Sequence, residues 1–210
     1  MSAKEEILGR IRTALADNPH VEPVVRDYRT TSQLSETEVI ELLVDRLVDY
    51  KAGVDVIEAE QIATHVAAKL ATARSVVYPH GLDTGWLEQL PESIERRIDA
   101  PGHALDIPVL DETSAVVTSS AVSIAESGTI ILDGEPDQGR RAISLVPDHH
   151  VCIVPVSTIV QLLPEAMPRM DVTRPQTWIS WPSATSDIEL ERVEGVHGPR
   201  TLDVLIVRGL

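Results

Sequence analysis

Between Ser35 and Pro91, short β-branched runs alternate with amphipathic helical stripes, and no other feature restricts the fold as tightly. Ser35 and Glu38 stand at capping-box spacing, and Val39, Leu42, Leu43, Leu47 and Tyr50 then share one helical face. Gly53 suits a left-handed helix end. Val54–Ile57 is a short strand, and Gln61–Ala73 follows as a helix with Ile62, Val66 and Leu70 on one side. Ser75–Tyr78 is the next strand, stopped by Pro79. Thr84–Leu90 reads as helical, and Pro91 opens another helical turn or two. Strand and helix alternating at this spacing imply parallel pairing, hence an α/β sheet.

The second half is richer in strands. Ala115–Thr118 is one apolar run, and Val122–Ala125 and Thr129–Leu132 flank Glu126-Ser127-Gly128, a tight turn or a bulge. Ala142–Val146 is apolar but short. Val151–Val156 reads as a buried strand and Val156–Leu163 as a helix closed by Pro164. Trp178–Trp181 and Leu202–Val207 finish the sheet. The chain has no Phe, three Trp and three Tyr, so its core is built from Val, Ile, Leu and Ala.

Ahead of this domain, Ser2–Asp17 reads as an amphipathic helix with a Ser2/Glu5 capping box and Ile7, Leu8, Ile11 and Leu15 at helical intervals. Asn18-Pro19 ends it. Its stripe is narrow and marginal alone, so it must dock on the main domain or on another subunit. Residues 19–34 form a linker. The organisation expected is a helix and linker over 1–34 and an α/β domain over 35–210.

Charge and cysteine content exclude several classes. A formal net charge of −15 argues against a nucleic-acid binder, whose affinity comes from Lys and Arg. The lone Cys152 can neither pair within the chain nor supply the four thiolates of an ordinary iron–sulfur cluster. The longest apolar run, around Val151–Val156, is far shorter than a membrane span, and the opening residues lack the pattern of a signal peptide. A cytoplasmic protein is expected.

Residues 119–154 carry the densest chemistry. Glu126 precedes a Ser127-Gly128-Thr129 step whose hydroxyls and backbone N–H groups suit an anion. Arg140 and Arg141 suit a bidentate carboxylate or phosphate clamp. They are the only Lys or Arg among eight Asp and Glu in residues 101–150. The plainer reading of Ser-Gly-Thr is turn chemistry, and that of the arginines a solvated pair. His149 and His150, adjacent on a strand, point in opposite directions and make a poor chelate, so no metal site is expected. Cys152 reads as a small core residue. Near the C-terminus, Ser183, Thr185 and Ser186 precede Asp187, and His197 sits in a Gly-Pro-rich loop as a candidate acid or base, or simply as a loop histidine. Nucleophile-elbow, phosphate-loop, zinc and dinucleotide-binding motifs are absent from the sequence.

Taken together, five motifs resemble the lactate utilisation protein C (LutC/YkgG) family, whose members are stand-alone LUD domains. They are Ala125-Glu126-Ser127-Gly128-Thr129-Ile130, Gly139-Arg140-Arg141, Leu145-x-Pro147-Asp148-x-His150, Ser183-x-Thr185-x-Asp187-Ile188-Glu189, and Gly195-Val196-His197-Gly198-Pro199. The opening Ile7-Leu8-x-x-Ile11 helix is similar too. One departure is Trp181, where the family's pattern has glycine before Pro182.

The resemblance implies a mixed, mainly parallel sheet flanked by helices, NagB/RpiA/CoA transferase-like, with an N-terminal helical extension. It also implies a role in oxidising L-lactate to pyruvate beside two iron–sulfur partner proteins, this chain being the cluster-free component with no cofactor of its own. The alternative is a stand-alone binding protein or enzyme for a small carboxylate, sugar phosphate or CoA ester. There Glu126 is the reactive carboxylate, by analogy with the glutamate nucleophile of CoA transferases. Ser127, Gly128, Thr129, Arg140, Arg141, Ser183, Thr185 and His197 would then surround a small anionic ligand.

Overall fold

The structure is a computed structural model that describes residues 2–17, 22–180 and 198–210. Its centre is a six-stranded, all-parallel sheet in the order β1-β10-β7-β4-β2-β3. These strands are β1 (Gly53–Glu58), β2 (Ser75–Pro79), β3 (Glu95–Asp99), β4 (Ala115–Thr118), β7 (His149–Pro155) and β10 (Thr201–Arg208). The middle strands β7 and β10 are buried on both faces, which is why they read as near-continuous aliphatic runs rather than alternating ones.

Alternation along these strands splits the core in two. Val151, Ile153, Leu205 and Val207 face helix α3 (Ile62–Lys69), packing on Ile62, Val66 and Leu70. Cys152, Val154, Val204 and Ile206 face helix α2 (Glu36–Asp49), which contributes Val39, Ile40, Leu43 and Leu47. The Ser35/Glu38 capping box forms, as does that of Ser2 and Glu5 on helix α1 (Ala3–Ala14).

A second, four-stranded sheet has the order β8-β5-β6-β9, built from β5 (Val122–Ile124), β6 (Thr129–Leu132), β8 (Ile159–Val160) and β9 (Thr177–Ile179). Strands β5 and β6 are an antiparallel hairpin with Ile124 opposite Thr129. The remaining α-helices among the described residues are short: α4 (Ile107–Asp111), α5 (Arg141–Leu145) and α6 (Leu163–Ala166). No helix among the described residues is long and apolar enough to cross a membrane.

The structure revises several local expectations. Residues 156–163 are not a helix: a 3-10 turn at Val156–Thr158 leads into β8, where β-branched Ile159 and Val160 pair beside β5. The stretch after Pro91 enters strand β3, whose charged Glu95, Arg96 and Arg97 suit an exposed sheet edge. The tryptophan segment belongs to the second sheet through β9, not to the main one. Helix α3 stops at Lys69, short of Ala73. The left-handed residue after α2 is Lys51, with φ 71°, while Gly53 already lies in β1. Gly53 instead makes room for a carboxylate, since a Cβ there would sit 2.1 Å from Asp203 Oδ1. Helix α1 buries no residue and leaves Ile7, Leu8, Ile11 and Leu15 exposed. The linker is held by Ser32, whose N–H donates to Glu165 Oε1 (2.9 Å) and whose hydroxyl donates to Gln161 Oε1 (2.7 Å).

Candidate functional site

The Glu126-Ser127-Gly128 step closes the β5–β6 hairpin, and its polar groups are spent largely on the turn itself. Gly128 has φ 61°, a conformation costly for any residue with a Cβ. Ser127 Oγ and Thr129 Oγ1 share a hydrogen bond of 2.7 Å, and Thr129 Oγ1 reaches Ser180 Oγ at 2.8 Å. Tyr50, from the end of α2, donates its hydroxyl to the Ser127 carbonyl; burial pushes its pKa up to about 12, so it remains a donor. The Glu126 side chain is 48% exposed and pairs with Arg29 of the linker, while Arg46 Nε donates to the Glu126 carbonyl at 3.4 Å.

The arginines lie at the other end of β6. A cleft of about 840 Å³ opens outside the carboxyl ends of β2 and β3, with the 133–142 loop as its opposite wall. The topology produces this crevice: β3 and β4 flank β2 on opposite sides, so the chain reverses direction across the sheet there. Ligands of open α/β sheets bind outside the carboxyl ends of strands at such reversals.

Within the cleft the two arginines have different roles. Arg140 grips Asp99 through Nε at 2.9 Å and Nη2 at 2.9 Å, and also donates to the Leu105 carbonyl. Asp99 is 5% exposed, and its hydrogen bonds raise the Arg140 pKa further. Arg140 therefore ties the 133–142 loop to the end of β3. Arg141 is exposed, lines the cleft, and makes no ion pair among the described residues. Arg174, a third lining arginine, is engaged by Glu135 and Asp171.

Asp133, like Asp99, His80 and Arg174, is a lining residue to which sequence reasoning gave no site role. It is 5% exposed, and its Oδ1 has no hydrogen-bond partner among the described residues. Its backbone N–H donates to Gln138 Oε1 at 2.7 Å. An available signal was its place directly after a buried strand and before Gly134, where a chain emerges from a sheet.

Arg140 and Arg141 are thus brought together with Asp133, Asp99 and His80 around one cleft. Glu126, Ser127 and Gly128, with Thr129 at the start of β6, lie at the far end of that four-residue strand from the cleft, on the order of 13 Å away. Ser183, Thr185 and His197, with Trp181, fall outside the described residues.

The histidine pair points to opposite faces. His149 Nε2 meets Asp203 Oδ2 at 2.8 Å, and Lys69 Nζ bridges Asp203 and Asp55 at 2.9 Å each. Burial by itself would raise the Asp203 carboxyl, but hydrogen bonds from His149 and Lys69 hold it below its ordinary value. His150 is fully buried, with Nε2 2.8 Å from Thr118 Oγ1 and Nδ1 without a partner among the described residues. Burial, with His149 nearby, pushes its pKa down to about 3. Cys152 is fully buried beside Thr118, and burial pushes its thiol up to about 12. Among the described residues, no group of three or more His, Cys, Asp or Glu is arranged to hold a metal ion.

Comparison with known proteins adds a domain match, two relatives and a solved structure. Residues 109–207 match the LUD domain. The chain is 42% identical over 210 residues to Lactate utilization protein C of Deinococcus radiodurans, covering 98% of this chain and 95% of that one. It is 30% identical over 193 residues to Lactate utilization protein C of Bacillus velezensis, covering 82% and 79%. Among solved structures it superposes on a DUF162 family protein from Deinococcus radiodurans with a TM-score of 0.70 and 37% identity, covering 83% of this chain and 99% of that one.

Proposed function

Because the chain belongs to the lactate utilization protein C family, we propose that it is the cluster-free component of a cytoplasmic L-lactate utilisation system. Its partners in this reading are iron–sulfur proteins, which take up the two electrons released as L-lactate becomes pyruvate. The observation that carries the proposal is likeness over nearly the full length of both chains to a protein named for lactate utilisation.

The state of Cys152 supports the same division of labour. A cluster ligand is a thiolate, and one thiol cannot replace four. This thiol, on β7, is also fully buried in the core under helix α2, an environment that keeps it protonated. Electron transfer then runs through partners, and this chain supplies binding or assembly.

Affinity purification of the tagged full-length chain from lactate-grown cells tests the partnership. The expected result is co-elution of at least one iron–sulfur protein, with iron lost when the partner is stripped away by salt. Elution of the chain alone from such cells, with no iron-containing companion, contradicts it.

A further inference from the structure

We propose that the cleft at the carboxyl ends of β2 and β3 binds a phosphorylated, hydroxyl-bearing ligand of about nucleotide size. Arg141 receives its phosphate and Asp133 receives a sugar hydroxyl. The site does not depend on the lactate role, since it rests on residues and cavity shape alone.

Asp133 is the strongest pointer. A buried carboxylate oxygen with no donor is expensive, and at the wall of a cleft a bound group can supply the missing hydrogen bond. An ionised carboxylate accepts and never donates, so the complementary ligand group is a hydroxyl or amine. In dinucleotide-binding α/β folds an acidic side chain beyond a strand end accepts from a ribose hydroxyl, which shows that this chemistry suits such a ligand.

The same carboxylate repels an anion, so the phosphate must lie elsewhere in the cleft. Of the three arginines at its wall, Arg140 is committed to Asp99, and Arg174 to Glu135 and Asp171. Arg141 remains, and its guanidinium fork fits phosphate oxygens in pairs. Opposite demands at Asp133 and Arg141 thus select a ligand with a neutral, hydroxylated part and an anionic part.

Size and wall chemistry point to a ligand larger than a three-carbon acid. Small-molecule sites match their ligands within roughly 300–1,000 Å³, and this cleft measures about 840 Å³. Pro101, Ala104, Pro136 and Pro175 give it apolar walls, suited to the face of a base. A sugar phosphate and a nucleotide share the recognised chemistry, and direct comparison separates them.

Isothermal titration calorimetry on the full-length protein provides the test, with AMP, ribose 5-phosphate and inorganic phosphate as probes. AMP or ribose 5-phosphate is expected to bind at submillimolar concentration and more tightly than inorganic phosphate. Tighter binding of AMP identifies the nucleotide, and equal or tighter binding of ribose 5-phosphate the free sugar phosphate. Arg141→Gln, a change at an exposed side chain, should weaken binding at least tenfold. Asp133→Asn should do the same with a melting temperature unchanged or higher, because the replaced oxygen has no partner to lose. If Asp133→Asn does not fold, the Arg141→Gln titration decides. No binding of either sugar-containing probe up to several millimolar overturns the proposal, as does binding that Arg141→Gln leaves unchanged.

Discussion

Replacing Gly128 with alanine is expected to destabilise the protein by several kcal/mol. Two costs combine there. The residue has φ 61°, where a Cβ crowds the following carbonyl at about 1–2 kcal/mol. The added methyl would also lie 2.1 Å from Tyr50 Oη and 2.7 Å from Arg46 Cβ, an overpacking that typically costs about 1–3 kcal/mol. Neither neighbour yields easily, because Tyr50 is buried and bonded to the Ser127 carbonyl and Arg46 holds the Glu126 carbonyl. The sum is about 2–5 kcal/mol, a large share of a typical domain's stability. Urea denaturation of Gly128→Ala measures it. In a Tyr50→Phe background the same substitution should cost less, since the nearest clashing atom is gone. An equal cost in both backgrounds would show that the hydroxyl is not the obstacle.

Acid should weaken the fold through His150, starting well above the pH at which carboxylates titrate. Its folded pKa of about 3 lies below the unfolded value of 6.5. Between those values the unfolded chain binds a proton that the folded one refuses, so stability falls as pH drops from 6.5 toward 3 and levels off below. At about 1.4 kcal/mol per pH unit, the loss from this residue is about 2 kcal/mol at pH 5. His150→Gln removes the titration while keeping a polar group opposite Thr118. Denaturation at pH 7 and pH 5 should therefore show a drop in the parent protein about 2 kcal/mol larger than in the variant. Equal drops would mean that His150 is solvated or protonated in the folded state. The Lys69–Asp203–His149 network adds a separate loss at lower pH, since Asp203 is held below its ordinary pKa and its contribution disappears when it protonates.

The elements of the fold were unequally legible in the sequence. Strands β7 and β10 were legible because centre strands of a parallel sheet bury both faces and read as unbroken Val and Ile. Helix α2 was legible because its cap and its apolar face agree. Strand β3 was not, since an edge strand keeps charged side chains and little β-branching. Residues 156–163 misled because β-branched residues at mixed spacing fit either period, and only pairing with β5 makes β8 a strand.

The site divided in the same way. Position along the chain marked Arg140 and Arg141 as a pair, yet their roles depend on Asp99, which is 41 residues away in sequence. Glu126 looked like a free carboxylate because Arg29, 97 residues earlier, carries no mark as its partner. Asp133 stood as one of several acidic residues of the 119–154 segment with no role of its own, since an orphaned oxygen is a property of burial and has no sequence pattern.

Growth of a deletion strain on L-lactate tests the central assignment most directly. Loss of this chain should abolish growth on L-lactate while growth on pyruvate continues, and a plasmid copy should restore it. Undiminished growth of the deletion strain on L-lactate would contradict a place for this protein in lactate utilisation.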